Sequence, residues 1–266
     1  MGRGLAASRQ QAEALIARGA VLVSGAVALK PSRLVSPAEP VRVVGPGPRF
    51  VSRGGEKLDA ALRRFTVDVT GARALDAGAS TGGFTDCLLQ RGAASVVAVD
   101  VGRALLHDRI RSDGRVRNLE RTDIRSLTPA EAGTEPFDVV TADLSFISLT
   151  RALPVLAGPM VRAGADLVLL AKPQFEAGRA EASRGRGVIR DPEVHRRTLL
   201  EVGHATGASG AAIMGVMPSP ITGQAGNVEF LLHARAHASP VDDDGLRTLV
   251  DAAVAEAHPA TGGDDR

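Results

Sequence analysis

Residues 75–86 read LDAGASTGGFTD, which is the end of an apolar strand, a glycine-rich turn and the start of a helix. Glycines at such a turn let the backbone reverse tightly and approach a ligand. A dinucleotide fingerprint has glycines at its first, third and sixth positions, whereas Gly78 and Gly82 lie four residues apart here, with Asp76 two residues before the first. The segment therefore predicts a ligand-binding loop of an α/β domain, in which the glycines are spaced differently from those of a dinucleotide-binding loop.

Apolar runs alternate with helical stretches over most of the chain from residue 54 onward. Runs such as 95–99, SVVAV, are continuously apolar, as expected for strands of a parallel sheet that is buried on both faces. This alternation predicts a doubly wound, Rossmann-like seven-stranded α/β domain spanning residues 54–257. The strand candidates are residues 73–76, 95–100, 116–119, 137–143, 166–171, 211–216 and 228–234, and the helix candidates include 84–91, 149–156 and 192–206.

A smaller segment of a different kind precedes this domain. Residues 8–18 predict a short helix that is capped by Ser8 and ended by Gly19. Ser24 and Gly25 form a predicted hairpin turn between the first two of three brief β-type runs. These runs are residues 20–23, 26–29 and 41–44.

Charge is distributed unevenly between the two parts. Residues 1–65 carry 11 basic and 4 acidic side chains, and the remainder carries 21 basic and 26 acidic ones. This asymmetry favours a small α+β lobe, residues 1–46, that docks on a polyanion. We expect residues 47–53, around a Pro-Gly-Pro sequence, to be a linker and residues 258–266 to be a disordered tail.

Composition excludes several classes of protein. The single cysteine, Cys87, excludes an internal disulfide framework and a cysteine-rich metal site. The longest apolar run, residues 167–171, is far too short to span a bilayer, and the N-terminal residues contain no apolar core of signal-peptide length. We therefore expect a soluble, cytoplasmic and monomeric protein that binds no metal and no membrane.

The glycine spacing is typical of S-adenosylmethionine-dependent methyltransferases, in which the acidic residue can face the methionine ammonium. Asp100 and Asp123 follow the next two strands, at the end of the sheet where open α/β folds bind ligands. Asp100 could bind ribose hydroxyls and Asp123 the adenine amino group, although either carboxylate could instead be a helix cap, and for Asp123 that alternative stays open. The predicted cofactor-binding residues are Asp76, Gly78, Ser80, Thr81, Gly82, Gly83, Phe84, Asp100, Asp123 and Asp143.

Lysine is scarce in this chain, and its positions are informative. Only three of the 32 basic residues are lysines, and Lys57 and Lys172 lie in motif-like segments while Lys30 lies in a polar turn. An arginine guanidinium keeps its proton at any useful pH, whereas a buried lysine can lose one. Two retained lysines therefore indicate chemistry that needs a removable proton or a compact ammonium.

Four residues carry a resemblance to a known family. Lys57 precedes the core on a predicted helix, Asp143 and Lys172 end two successive strands, and Glu229 opens the last strand. Their order resembles the Lys-Asp-Lys-Glu tetrad of the FtsJ-like ribose 2′-O-methyltransferases. Within that group the chain resembles the TlyA family, also called hemolysin A, in residues 52–58 (SRGGEKL), 76–86, 143–149 (DLSFISL), 172–176 (KPQFE) and 226–230 (GNVEF).

The resemblance implies methylation of cytidine 2′-hydroxyls in ribosomal RNA, on the large subunit and in some members also the small one. A ribose hydroxyl is a poor nucleophile until its proton begins to leave, so a general base helps. A free lysine, with a pKa of about 10.4, is too protonated to serve, but burial and a neighbouring ammonium can bring a lysine toward about 7–8. We take Lys172 as the base, Lys57 as a source of positive charge, and Asp143 and Glu229 as the residues that orient the lysines. The two acids oppose the lowering of a lysine pKa, and a structural Lys172–Asp143 ion pair is compatible with this scheme.

RNA-binding features lie in two regions. Residues 8–25 resemble the S4-type RNA-binding domain, although family members usually carry a further helix before this point. Residues 179–197 predict a mobile arginine-rich loop that runs into a helix, and they could close on RNA phosphates or equally be a solvated loop. Because the chain lacks Trp and Tyr, base stacking would fall to Phe146 or Phe175. The predicted RNA-binding residues are Arg9, Arg18, Arg53, Arg179, Arg184 and Arg186.

Two other functions compete with an active rRNA methyltransferase. One is an RNA-binding ribosome-assembly protein with an inactive methyltransferase fold, against which the intact glycine loop and tetrad argue. The other is a membrane-active hemolysin, which the alternative family name suggests and which the absence of a spanning segment disfavours.

Overall fold

A computed structural model describes residues 3–6, 9–17, 19–45, 48–178, 181, 185, 187–223 and 225–259. The chain divides into two compact units, Met1–Arg49 and Phe50–Arg266. This division falls within the predicted linker.

The first unit is a helix followed by a small antiparallel sheet. Its elements are α1 (Arg9–Ala17), β1 (Val21–Val23), β2 (Ala26–Val27) and β3 (Val41–Val43), and the strand order is β2-β1-β3. Ser24 and Gly25 both have positive φ, of 52° and 84°, so the predicted hairpin turn between β1 and β2 is confirmed. Leu15 and Val23 are buried in its small core. Ser8, the predicted helix cap, lies outside the described residues.

The second unit is an α/β domain. Its strands are β4 (Arg73–Ala77), β5 (Ser95–Val99), β6 (Val116–Leu119), β7 (Phe137–Ala142), β8 (Val161–Ala171), β9 (Ala211–Pro218) and β10 (Phe230–Ala236). Its helices are α2 (Gly54–Arg64), α3 (Gly83–Gln90), α4 (Asp108–Arg111), α5 (Pro129–Ala132), α6 (Leu153–Leu156), α7 (Pro173–Glu176), α8 (Pro192–Ala208) and α9 (Asp243–Ala257), with short 3₁₀ turns at Ile124–Ser126 and Leu149–Arg151.

The seven strands form one sheet in the order β6-β5-β4-β7-β8-β10-β9, which confirms the predicted seven-stranded Rossmann-like fold. Successive strands run outward on either side of β4 and β7, so the chain changes direction between them, and such a switch point is where open α/β sheets bind ligands. The sheet is not wholly parallel, because β10 pairs antiparallel with both β8 and β9. The start of β10 therefore lies at the same rim as the carboxyl ends of the parallel strands.

Two hydrophobic clusters cover the opposite faces of the sheet, which explains the continuously apolar strands. One cluster includes Leu75, Val140 and Leu169, and the other includes Ala74, Val139 and Val168. Neighbouring residues of each strand thus point to opposite clusters.

Both predicted boundaries of the second unit need correction. Phe50 is buried, and the backbone N–H of Val51 donates to Asp86 at 2.8 Å, so the end of the predicted linker is packed against α3. At the other end His258 contacts the ring of His195, with 2.9 Å between Nε2 and Nδ1, so this first residue of the predicted tail is ordered. Residues 260–266 lie outside the described part of the chain.

Neither a membrane-length apolar helix nor a group of three or more His, Cys, Asp or Glu side chains placed to hold a metal ion occurs among the described residues.

Candidate active site

The glycine-rich loop connects the end of β4 to the start of α3. The backbone N–H groups of Gly78 and Ala79 both donate to the carbonyl oxygen of Val99, at 2.8 and 3.1 Å, which turns the loop toward β5. Gly78 has a φ of +83°, and a Cβ at this position would lie 2.5 Å from the carbonyl oxygen of Asp143. Only glycine allows this close approach, so the loop and the end of β7 form one narrow cradle.

Asp100 joins this cradle from β5. Its carboxylate accepts hydrogen bonds from the backbone N–H of Ser80 at 2.8 Å and of Gly102 at 2.6 Å. Ser80 has a φ of +47°, so the loop is bent onto the aspartate. The structure thus brings the predicted glycine loop together with Asp100, the residue predicted to bind ribose hydroxyls.

Asp76 lies deeper than the sequence predicted. Its carboxylate is fully buried and accepts hydrogen bonds from Thr85 Oγ1 at 2.6 Å and Thr141 Oγ1 at 3.3 Å. Burial, with a smaller contribution from the charge of Asp143, raises the pKa of Asp76 to about 7. The carboxylate of Asp76 is therefore not exposed to a ligand ammonium as expected, and the side chain instead ties β4 to α3 and β7.

Three other residues that were predicted to bind the cofactor make contacts with other parts of the protein. The Phe84 ring is buried in the core, so its side chain does not line the loop. Asp123 caps the 3₁₀ turn through the backbone N–H of Arg125 and pairs with that side chain at 2.5 Å, which lowers the pKa of Asp123. Gly83 faces the segment that leads into α2, because its Cβ would lie 2.2 Å from Ser52 Oγ.

The contact at Gly83 places α2 against the glycine loop. A Cβ on Gly83 would also lie 2.9 Å from the backbone nitrogen of Gly55, so the first turns of α2 and α3 meet with no room for side chains. Asp59 of α2 and Arg91, which follows α3, form an ion pair of 2.7 Å that holds the two helices together. Lys57, one turn into α2, is thereby carried to the rim of the sheet.

The tetrad consists of two ion pairs. Lys57 Nζ lies 2.5 Å from Glu229 Oε2, and these two side chains are 9% and 4% exposed. Lys172 Nζ lies 2.5 Å from Asp143 Oδ1 and donates to Ser145 Oγ at 2.9 Å. Each lysine is thus held by a carboxylate in a place from which water is largely removed, where charge interactions are strong.

Two strands bring these pairs to one rim. Phe230 pairs with Ala171 in the antiparallel β8–β10 ladder, so the next residues outward are Glu229 and Lys172. Glu229 precedes β10 rather than opening it as predicted, and a Cβ on Gly223 would lie 2.6 Å from its Oε1. Asp143 follows β7, the parallel neighbour of β8.

An aromatic pair borders Lys172. Phe146 is 92% exposed and has a φ of +66°, a conformation that is rare for a bulky residue. Its ring centroid lies 5.3 Å from that of Phe175, and Lys172 Nζ lies 5.9 Å from the Phe175 centroid. An exposed aromatic ring in a strained conformation beside a buried lysine indicates a surface that receives a ligand.

Several contacts in the site were missed from the sequence. Ser145 and Glu176 lie within quoted motifs but were given no role, and Thr85 and Thr141 hold Asp76. For Ser145 and Glu176, the sequence signal that was available was their place within these motifs. Thr85 also lies in a quoted motif, residues 76–86, whereas Thr141 gave no signal, because its role depends on which strand lies beside β4.

The predicted RNA-binding arginines are only partly described. Arg9 is exposed and pairs with Glu13 at 3.0 Å, and Arg53 is the residue before α2. Arg18, Arg179, Arg184 and Arg186 lie outside the described residues, so their predicted role stays a prediction.

Comparisons with known proteins give consistent relatives. The family model of FtsJ-like methyltransferases matches residues 50–236, and that of S4 domains matches residues 3–41. The 16S/23S rRNA (cytidine-2′-O)-methyltransferase TlyA of Mycobacterium tuberculosis is 47% identical over 96% of this chain and 94% of that protein. Hemolysin A of Brachyspira hyodysenteriae is 36% identical over 86% of this chain and 95% of that protein. A solved structure from Streptococcus thermophilus whose name carries the word hemolysin has a TM-score of 0.76 and 37% identity, covering 96% of this chain and 94% of that one.

Proposed function

The chain belongs to the FtsJ-like methyltransferase family, and we propose that it transfers the methyl group of S-adenosylmethionine to a cytidine 2′-hydroxyl of ribosomal RNA. The observation that carries this proposal is the pair of buried lysine–carboxylate contacts, Lys57–Glu229 and Lys172–Asp143, at the rim that also holds the glycine loop. The 47% identical relative from Mycobacterium tuberculosis carries this activity in its name and supports the choice of substrate. A ribosomal substrate would place the reaction in the cytoplasm.

The residues at the loop fit S-adenosylmethionine. The absence of a Cβ at Gly78 lets the loop lie directly against the end of β7, and Asp100 lies against the same loop, where its carboxylate could accept ribose hydroxyls. When bound, S-adenosylmethionine supplies a methyl group on a positively charged sulfur. The chain's own task is to orient the 2′-hydroxyl oxygen toward that methyl group and to accept the hydroxyl proton.

Lys172 is the proposed proton acceptor. It would act in its neutral form, since an ammonium has no lone pair with which to accept a proton. Asp143 and Ser145 lie against its Nζ, so the nitrogen would have a defined direction when the hydroxyl arrives. Ser145 accepts from Lys172 and can donate its own proton elsewhere, which gives the site a path for proton movement. Water is largely excluded here, which keeps the competing solvent away from the reacting oxygen.

Lys57 has a different proposed task. Its ammonium is held by Glu229, which directly precedes β10, on the other side of β8 from Asp143. It would stabilise negative charge that develops on the 2′-oxygen. Glu229 keeps that charge in place and prevents an isolated ammonium from being buried.

Phe146 and Phe175 are the proposed stacking surface for a base near the target ribose. Nearly the whole Phe146 side chain is exposed, and its ring lies within reach of a ligand held at Lys172. Stacking of a base on an aromatic side chain is sequence-tolerant and contributes about 1–3 kcal/mol. The first unit, which matches the S4 domain model, would contribute RNA backbone contacts.

The decisive test is transfer of labelled methyl groups from S-adenosylmethionine to unmodified 16S and 23S rRNA and to the corresponding subunits. We expect incorporation into a cytidine, and the adjacent phosphodiester should become resistant to alkaline cleavage because the 2′-hydroxyl is blocked. Absence of incorporation into every rRNA substrate, with cofactor binding retained, would instead favour the inactive ribosome-assembly protein.

A further inference from the structure

One loop of the site carries a conformation that needs support. Phe146 has a φ of +66° and its side chain is almost fully exposed, so neither backbone preference nor burial of its ring holds it in place. A bulky residue in this region is strained and persists only when its surroundings determine it. Leu144 and Leu149 are buried on either side and Ile147 packs against the same core, whereas Ser145 and Ser148 are held by polar contacts.

Glu176 supplies such contacts at the far end of the loop. Its Oε2 accepts from Ser148 Oγ at 2.5 Å and its Oε1 accepts from the backbone N–H of Leu149 at 2.9 Å. Ser148 Oγ in turn accepts from the backbone N–H of Thr150 at 3.1 Å, which caps the 3₁₀ turn that follows. Burial raises the pKa of Glu176, which reflects how far the carboxylate is withdrawn from water.

The near end of the loop is held from the same short segment. Lys172 contacts Asp143 and Ser145, and α7 begins at the next residue and ends at Glu176. Lys172 and Glu176, at the two ends of this short segment, therefore hold residues 145–148 from both sides, while Ile147 between them packs against the core. Phe175, the residue before Glu176, supplies the ring against which Phe146 rests.

We propose that Glu176 is a positioning residue that holds Phe146 in its exposed, left-handed conformation, ready to stack on an RNA base. This inference rests on the proposed function, since it assigns a purpose to Phe146 in RNA methylation. Within the described part of the chain, the side-chain hydrogen bonds of Glu176 go to the loop, through Ser148 and Leu149. Its effect on the reaction must therefore pass through the residues it holds.

The first test is a double-mutant cycle on methyl transfer to rRNA. Glu176→Ala and Phe146→Ala should each lower kcat/KM for RNA by about tenfold, the size expected for one lost stacking contact. In the Phe146→Ala background, Glu176→Ala should cost less than about twofold further, because its target is already removed. Glu176→Gln should stay near wild type, since an amide can accept from Leu149 and donate to Ser148 Oγ.

Glu256→Ala is the matched control, because Glu256 is an exposed glutamate that pairs with Arg64 on the surface. It should leave kcat/KM unchanged, and none of the variants should change the Kd for S-adenosylmethionine. Independent, multiplying losses from Glu176→Ala and Phe146→Ala would overturn the proposal, as would an unchanged kcat/KM in Glu176→Ala.

The second test does not depend on methyl transfer. The chain contains no Trp or Tyr, so Phe146→Trp places a single fluorophore at the position of interest. We expect Glu176→Ala to lower the fluorescence anisotropy of this tryptophan, whereas Glu176→Gln and Glu256→Ala leave it unchanged. Unchanged anisotropy in Glu176→Ala would refute the positioning role even if the protein methylates RNA, and lowered anisotropy without any methylation would count against the proposed function alone.

Discussion

Glu229 and Lys172 are the next residues outward from the paired Phe230 and Ala171 on the antiparallel β8–β10 ladder, yet each pairs with a different partner. Glu229 holds Lys57 from α2, and Lys172 holds Asp143 from the end of β7. The two lysines therefore reach one rim of the sheet from separate elements, each with its own carboxylate. This arrangement is compatible with the separate tasks proposed for the two ammonium groups, which mutation can distinguish.

Replacement of Lys172 by Arg should abolish any transfer of a proton to this residue while keeping its positive charge. We expect kcat for rRNA methylation to fall by at least about 100-fold, the lower size of a general-base contribution, with an unchanged Kd for S-adenosylmethionine. Lys30→Arg is the matched control, since it changes an exposed lysine of the first unit in the same way. Near-normal kcat in Lys172→Arg would leave only an electrostatic role.

Replacement of Lys57 should reveal a role that depends on charge. Lys57→Arg should lower kcat less than Lys57→Met, because only the first keeps a cation beside Glu229. Lys57→Met should also lower the free energy of unfolding by about 3–5 kcal/mol, since it leaves a buried carboxylate without its cation. Chemical unfolding and single-turnover kinetics measure the two effects.

The double variant Lys57→Met with Glu229→Gln separates stability from catalysis. It removes both charges, so much of the free energy of unfolding should return while the methylation rate stays low. If the free energy of unfolding and the methylation rate both recovered, Lys57 would serve only to neutralise the charge of Glu229.

The buried carboxyl of Asp76 should make stability depend on pH. Its pKa in the folded protein is raised to about 7 from an ordinary value near 3.8, so the unfolded chain loses this proton first. The associated stability is fully present below about pH 4 and is lost as the pH rises through about 7. Asp76→Asn lacks this dependence, so the difference in Tm, wild type minus variant, should shrink between pH 5 and pH 8. A difference that is the same at both pH values would contradict the assignment.

Gly78→Ala should weaken cofactor binding. Its φ of +83° disfavours any side chain, and the new Cβ would meet the Asp143 carbonyl oxygen at 2.5 Å. The resulting shift of the loop should raise the Kd for S-adenosylmethionine by at least about tenfold in calorimetry, which corresponds to about 1.4 kcal/mol. Gly114→Ala is the control, because its Cβ would meet no atom within 4 Å. Equal Kd values for the two variants would count against a cofactor site at this loop.

Much of the fold could be predicted because its signals are local. Short runs rich in apolar residues, alternating with helical stretches, marked all seven strands, and the Ser24-Gly25 pair marked the hairpin of the first unit. Strand lengths were less predictable, since β8 extends from Val161 to Ala171 and the prediction began at residue 166. The antiparallel direction of β10 also had no signal, because an apolar run carries no information about the direction of its neighbour.

The tetrad could be predicted as a set of four residue types in order, but its pairing could not. Proximity of Lys172 to Asp143 follows from the parallel β7–β8 pair, and proximity of Glu229 to this rim requires β10 to run antiparallel. The burial of Asp76 could not be predicted either. Its place beside the glycines suggested a side chain open to a ligand, whereas Thr85 and Thr141 enclose it in the structure.

The sequence by itself determined the fold class and the glycine loop, because strand periodicity and motif spacing are written along the chain, and the resemblance of its motifs to those of a known family supplied the candidate catalytic residues. Only the tertiary structure decided which carboxylate holds which lysine, that Gly83 serves a helix contact at Gly55, and that Phe146 stands exposed with a positive φ. These depend on contacts between segments far apart in sequence, whose geometry is set by strand order and by close packing of the elements between them.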